Sequence, residues 1–170
     1  MNPSVRVLSL AAVCVPLLLL SACQRAQDAA VEAALERATG TELEVKDGGK
    51  QMTIKTEQGD LKIASAEAGG SVALPPDFPG DIYLPREYRV ESAIDMAGMQ
   101  MVNLTSPAGL QPLYDEVGKS MTTQGWKREM TMQEEGGVTL MYSKDERQVI
   151  YQLVKGDGGT QVALRTGTNR

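Results

Sequence analysis

Apolar and polar residues alternate most cleanly between positions 88 and 168, and that stretch predicts a sheet crossed by one helix. Tyr88, Val90, Ile94 and Met96 alternate with Arg89, Glu91, Ala93 and Asp95. Ala97-Gly98 supplies a two-residue turn, which places Met96 opposite Met99 and Ile94 opposite Met101 on one face. The period then changes. Leu110, Leu113, Tyr114, Val117 and Met121 fall at i, i+3, i+4, i+7 and i+11, the stripe of a helix that faces a core. Ser106 is placed to cap this helix and Pro107 to open it. Gly125 suits the left-handed position past its end, with Trp126 lying back over Met121.

Four further strands are expected. Trp126, Met130 and Met132 alternate, as do Val138, Leu140 and Tyr142. A two-residue turn would send these sets to opposite faces. A three-residue loop, Glu135-Gly136-Gly137, brings both to the core with Met132 opposite Leu140 and Met130 opposite Tyr142. Because register follows the buried face, the second arrangement is the expectation. Val149, Tyr151 and Leu153 form the next strand, and the turn at residues 156–159 returns the chain so that Val162 and Leu164 pair with Leu153 and Tyr151. The order is ββαββββ, an antiparallel sheet with one helix packed across it, in the α+β class. In element order it resembles the helix-grip-like domains of outer-membrane assembly lipoproteins.

Upstream, residues 41–66 read as a small β-meander. Leu43 and Val45, then Met52, Ile54 and Thr56, then Leu61 and Ile63 alternate between turns at Asp47-Gly48-Gly49 and Gln58-Gly59-Asp60. Three short strands bury too little to stand alone, so their apolar side requires a cover, from the later domain or from another protein. Residues 67–87 hold four prolines and the only phenylalanine, Phe78, and read as an extended connector with Phe78 inserted into its own domain. An alanine-rich helix over residues 26–38, with Gly40 as its stop, lies within a tether spanning residues 23–40.

The first 22 residues have a different character. A start bearing one positive charge, Arg6, precedes an almost entirely apolar run over residues 7–20, too short for the ~20 residues of a membrane span. This is the layout of a secretory signal peptide. Leu20-Ser21-Ala22-Cys23 resembles the lipobox of bacterial lipoproteins. The resemblance implies lipid on the Cys23 sulfur, cleavage before it by signal peptidase II, and acylation of the new amine. Several acyl chains make a durable anchor where one binds only marginally. Gln24, where an aspartate would retain the product in the inner membrane, implies the periplasmic face of the outer membrane of a Gram-negative bacterium.

Removing residues 1–22 takes away Arg6 and no acidic residue. The mature 148 residues carry 16 basic and 22 acidic side chains, a formal charge of −6. That balance argues against nucleic acid as a partner. Cys14 leaves with the signal segment, so the core is expected to hold without a disulfide. The sequence contains no histidine, which removes the commonest general base and the usual zinc ligand. It also contains no Gly-rich phosphate loop. Asp115-Glu116 and Glu134-Glu135 could in principle form a carboxylate pair, but they read as solvated surface. Gly156-Asp157-Gly158-Gly159 offers one carboxylate, against the 6–8 oxygens that calcium takes.

Nine methionines are the unusual feature. Met96, Met99 and Met101 share a predicted face, and Met130, Met132 and Met141 lie in strands beyond the helix. Thioethers suit Cu(I); they also fill irregular cores, and here the expectation is that they pack beneath the helix. The leading expectation is therefore a non-enzymatic envelope lipoprotein without a cofactor, held on the membrane through Cys23. It binds a protein partner or scaffolds the envelope. The alternatives are a Cu(I)-binding lipoprotein using Met96, Met99 and Met101, and a carboxylate-dependent envelope enzyme.

Overall fold

Residues 29–34, 36–37, 41–57 and 59–168 are described in a computed structural model; the signal segment, Cys23 and the tether as far as residue 28 lie outside the described residues. Helix α1 comprises residues 29–34 and 36–37. The strands are β1 (Leu43–Lys46), β2 (Gln51–Thr56), β3 (Gly59–Ser65), β4 (Arg89–Met96) and β5 (Met99–Ser106). Helix α2 (Leu110–Thr123) follows, and then β6 (Lys127–Glu134), β7 (Gly137–Lys144), β8 (Arg147–Gly156) and β9 (Gly159–Thr168). The protein is α+β. Its nine described strands form one sheet in the order β1-β2-β3-β4-β5-β9-β8-β7-β6, with antiparallel pairing throughout.

One face of this sheet carries the core. Val102 and Leu104 of β5, Leu140 and Tyr142 of β7, Val149, Tyr151 and Leu153 of β8, and Leu164 of β9 are all buried there. Leu113, Val117 and Met121 come down onto them from α2. Each such side chain contributes about 1.5–3 kcal/mol when withdrawn from water. The helix ends as its sequence dictates. Gly125 adopts φ +83°, its amide donates to Thr122 O (3.0 Å), and the Trp126 amide donates to Met121 O (2.9 Å). That pair of bonds is a Schellman motif, and it turns buried Trp126 back over the helix end.

The start of α2 differs from expectation. Ser106 is the last residue of β5, paired with Thr160, and its hydroxyl accepts from the Ala108 amide (3.3 Å). Thr160 also donates to Ala108 O (2.8 Å), so residues 106–108 are held on the β8–β9 hairpin and the helix begins only after Gly109.

The segment between β3 and β4 does more than connect. Val72, Leu74, Phe78, Tyr83 and Leu84 pack against the core, and Ile82 is buried within it. Prolines remove backbone donors, so the strap does not join the sheet as a strand along its length. It is held by side chains and, at its start, by the Val72 amide donating to Val90 O (2.9 Å).

Two β-bulges reverse the faces that simple alternation assigns. In β4 the register shifts between Val90 and Ser92, leaving Glu91 extra. Val90 and Ala93 therefore point to the core, while Ile94 and Met96 point away from it. Met96 does oppose Met99, and Ile94 does oppose Met101. This pairing lies on the face opposite α2, so the methionines do not pack beneath the helix. In β6 the shift falls between Arg128 and Met130. Its turn to β7 is the two-residue Glu135-Gly136, with Gly136 at φ +78°. Met132 consequently opposes Thr139 and Met130 opposes Met141, rather than Leu140 and Tyr142. The buried-face argument failed here because β6 is an edge strand, and apart from half-buried Met130 all of its residues are exposed.

Candidate functional site

The meander is the N-terminal margin of the same sheet: Leu61 opposes Met96 and Ile63 opposes Ile94. Its apolar side therefore continues a face that α2 does not touch. Register partners place one unbroken row across this open face: Val45, Met52, Ile63, Ile94, Met101, Arg165, Ile150, Met141 and Met130. Eight of the nine are apolar. A second, shorter row, Leu43, Ile54, Leu61, Met96 and Met99, lies beside it. Met96 (40%), Met99 (44%) and, on the far edge strand β6, Met132 (49%) are among the most exposed large apolar side chains.

Only the β1 margin is closed over. Leu43 and Val45 are buried although β1 is an edge strand. Helix α1 reaches this margin, where the Glu36 carboxylate accepts the Leu43 amide (3.2 Å). The single charge in the row, Arg165, is exposed, and it has no ion pair or side-chain hydrogen bond among the described residues.

The methionines form two groups. Met96 and Met99 are direct partners, with Met101 two residues along β5. Met141 lies three strand spacings from Met101 in the sheet order, ~14 Å away, and Met130 one spacing further, ~19 Å. Met96, Met99 and Met101 are thus brought together, while Met130, Met132 and Met141 stand apart from them.

The opposite face is tied down by charge. Asp81, on the strap, accepts from both Arg147 nitrogens (2.8 and 2.7 Å) and from Lys144 Nζ (2.8 Å). The Arg147 guanidinium above all, with Lys144 adding to it, holds the Asp81 carboxyl well below the usual carboxylate range. The Trp126 indole donates to Asp81 O (2.8 Å), and Arg147 stacks 4.9 Å from the Trp126 ring centroid. Burial pushes the Tyr151 phenol far up; it donates to Tyr83 O (2.8 Å). The whole cluster fastens the strap to the β7–β8 hairpin and presents no free reactive group.

The candidate carboxylates do not converge. Asp115 and Glu116 lie on the outer side of α2, accepting from Gln111 (3.1 Å) and from Tyr83 respectively. Glu134 and Glu135 are exposed at the β6–β7 turn. A concavity of about 620 Å³ is an open groove beneath the strap, where Lys50, Lys62 and Asp95 mix with Ala64 and Leu74. Among the described residues no group of three or more acidic or cysteine side chains could hold a metal ion, and no helix is long and apolar enough to cross a membrane.

Arg165 and Ile150 were not singled out from the sequence, and Met141 only as one of the methionines, yet a signal for Ile150 and Met141 as open-face residues is present. Leu140-Met141-Tyr142 and Val149-Ile150-Tyr151 are apolar at both strand parities, the mark of strands whose two faces both seek cover. Compared with known protein families, curated proteins and solved structures, the chain matches none.

Proposed function

We propose that this is a lipid-anchored envelope protein, attached through Cys23 at the periplasmic face of the outer membrane, whose open sheet face binds a protein partner. It is a docking or scaffolding module rather than an enzyme. In this reading residues 88–168 form a ββαββββ unit that grips α2 on one face, and the meander widens the other. The observation that carries the proposal is the apolar row crossing all nine strands, with no covering layer among the described residues beyond its β1 margin. Sheets of this kind are stable when each apolar face is buried against another element, and a contiguous apolar surface left open to solvent marks an interaction site.

Site-specific photo-crosslinking in the producing cell tests the role. A photoreactive residue at Met101 should yield protein adducts, and one at Glu116, on the outer side of α2, should not. Adducts at Glu116 alone would reject the open face as the docking surface. Cys23→Ala should abolish lipid labelling and leave the chain unanchored; normal labelling in that variant would reject the anchor.

A second reading has its own observation: exposed Met96 and Met99 stand together with half-buried Met101 on one β-hairpin, where three thioethers could meet a Cu(I) ion. Replacing all three with leucine should cost under ~1.5 kcal/mol. A rise in melting temperature with Cu(I) that vanishes in this variant would favour copper. The docking role predicts no such rise.

A further inference from the structure

We infer that the occupant of the open face is a single amphipathic α-helix of an envelope protein, bearing a carboxylate that meets Arg165. This rests on the docking role proposed above and specifies its partner.

Width points to a helix. Across the centre of the face the apolar band is one to two residues deep along each strand, ~7 Å. The positions next to it turn polar or small, with Asn103 on β5, Gly167 on β9, and Gln148 and Gln152 on β8, and exposed Val154 stands apart near the end of β8. A helix is ~10 Å across with its side chains and meets such a band with one stripe. A second sheet would need apolar positions along the length of several strands. Length is limited by twist. Neighbouring strands rotate by ~20°, so a straight rod faces only the central strands. Ile63, Ile94, Met101, Arg165 and Ile150 span four strand spacings, ~19 Å, the rise of ~13 helical residues.

Charge narrows the choice further. Arg165 has no partner among the described residues. Covering an unpaired guanidinium is strongly unfavourable, so the occupant must bring a carboxylate. A second copy of this chain does not. A twofold axis through the central strand β5 would set Arg165 against Ile94 of the other copy, leaving both guanidinium groups uncompensated. A bilayer surface fits less well, because the strands present no Trp or Tyr to this face and only one cation in its central row.

The test uses the full chain in the producing cell with a photoreactive residue at Ile150, and the crosslinked peptide is sequenced. The expected peptide has apolar residues at i, i+3, i+4 and i+7 and an Asp or Glu within one turn of the adduct. Arg165→Glu should reduce the adduct at least tenfold, and replacing that carboxylate with lysine should restore it. Arg165→Met, which keeps the row apolar, should also weaken the adduct, and it serves if Arg165→Glu lowers the melting temperature. An adduct with a second copy, with a peptide lacking the helical pattern or the carboxylate, or one indifferent to both Arg165 variants would overturn the helix and leave the docking role standing. Adducts with lipid alone, or none at either Ile150 or Met101, would overturn both.

Discussion

The Arg128 guanidinium occupies the space in which a side chain on Gly118 would stand. Arg128 leaves the edge strand at its bulge, donates to the Tyr142 hydroxyl (3.1 Å), and lies 5.5 Å from the ring centroids of both Tyr142 and Tyr114. A buried glycine in the middle of α2 is thus the counterpart of an arginine on β6.

A double-mutant cycle should report this coupling. Glycine in a helix interior costs ~1 kcal/mol relative to alanine, so Gly118→Ala alone should gain little, because it displaces Arg128. In an Arg128→Ala background the same change should stabilise by about 1 kcal/mol. Equal effects in the two backgrounds, measured by urea unfolding, would show that the residues are independent.

Asp81 should set the acid limit of stability. Its native carboxyl titrates well below the usual range because Arg147 and Lys144 hold it. The stabilisation is therefore complete above the unfolded-state pKa of ~4 and is lost progressively as pH falls below it. Asp81→Asn should cost ~1.5–3 kcal/mol at pH 7, the range for hydrogen bonds to a charged group. The gap between variant and wild type should narrow below pH ~4. A constant gap from pH 7 to pH 3 would contradict the clamp.

Register in the last meander is open to a covalent test. Met132 opposes Thr139, so cysteines at these two positions should join readily on oxidation, since directly opposed residues fall within disulfide reach. The pair Met132→Cys with Leu140→Cys should not, because those side chains leave opposite faces. Efficient joining of the second pair would restore the three-residue loop.

Peroxide should divide the methionines by face. Met96, Met99 and Met132 are 40–49% exposed and Met121 is fully buried. Peptide mapping after brief oxidation should find the first three converted to sulfoxide well before Met121. Early oxidation of Met121 would mean that α2 is not seated on the sheet.

Much of the fold is legible in the sequence, and the misreadings share a cause. The stripe of α2, its Gly125 terminus and the pairing of Tyr151 with Leu164 follow from periodicity and turn chemistry. The facing of β4 and β6 does not, because one extra residue in a strand inverts everything beyond it. Glu91 and Glu129, the residues within the two bulges, look like ordinary outward positions. The candidate face was half visible. The meander's unmet need for cover could be read locally, but its continuity with Met101, Ile150 and Met141 depends on β5 lying beside β9, a pairing between distant segments.

That β5–β9 seam also shapes how the protein matures. On one side of it lie the first five strands and on the other the last four, each series pairing sequence neighbours, through short turns everywhere except across the strap between β3 and β4. Val102 meets Leu164 across a long stretch of chain, and Gly159 sits so close to the Ser106-Pro107 backbone that a side chain would collide with it. Hairpins close quickly, whereas distant pairings bear the entropic cost of a long loop. A chain threaded from its N-terminus would present an unfinished apolar surface until β9 arrives to zip the halves together. The interval before that closure is when a chaperone has most to protect.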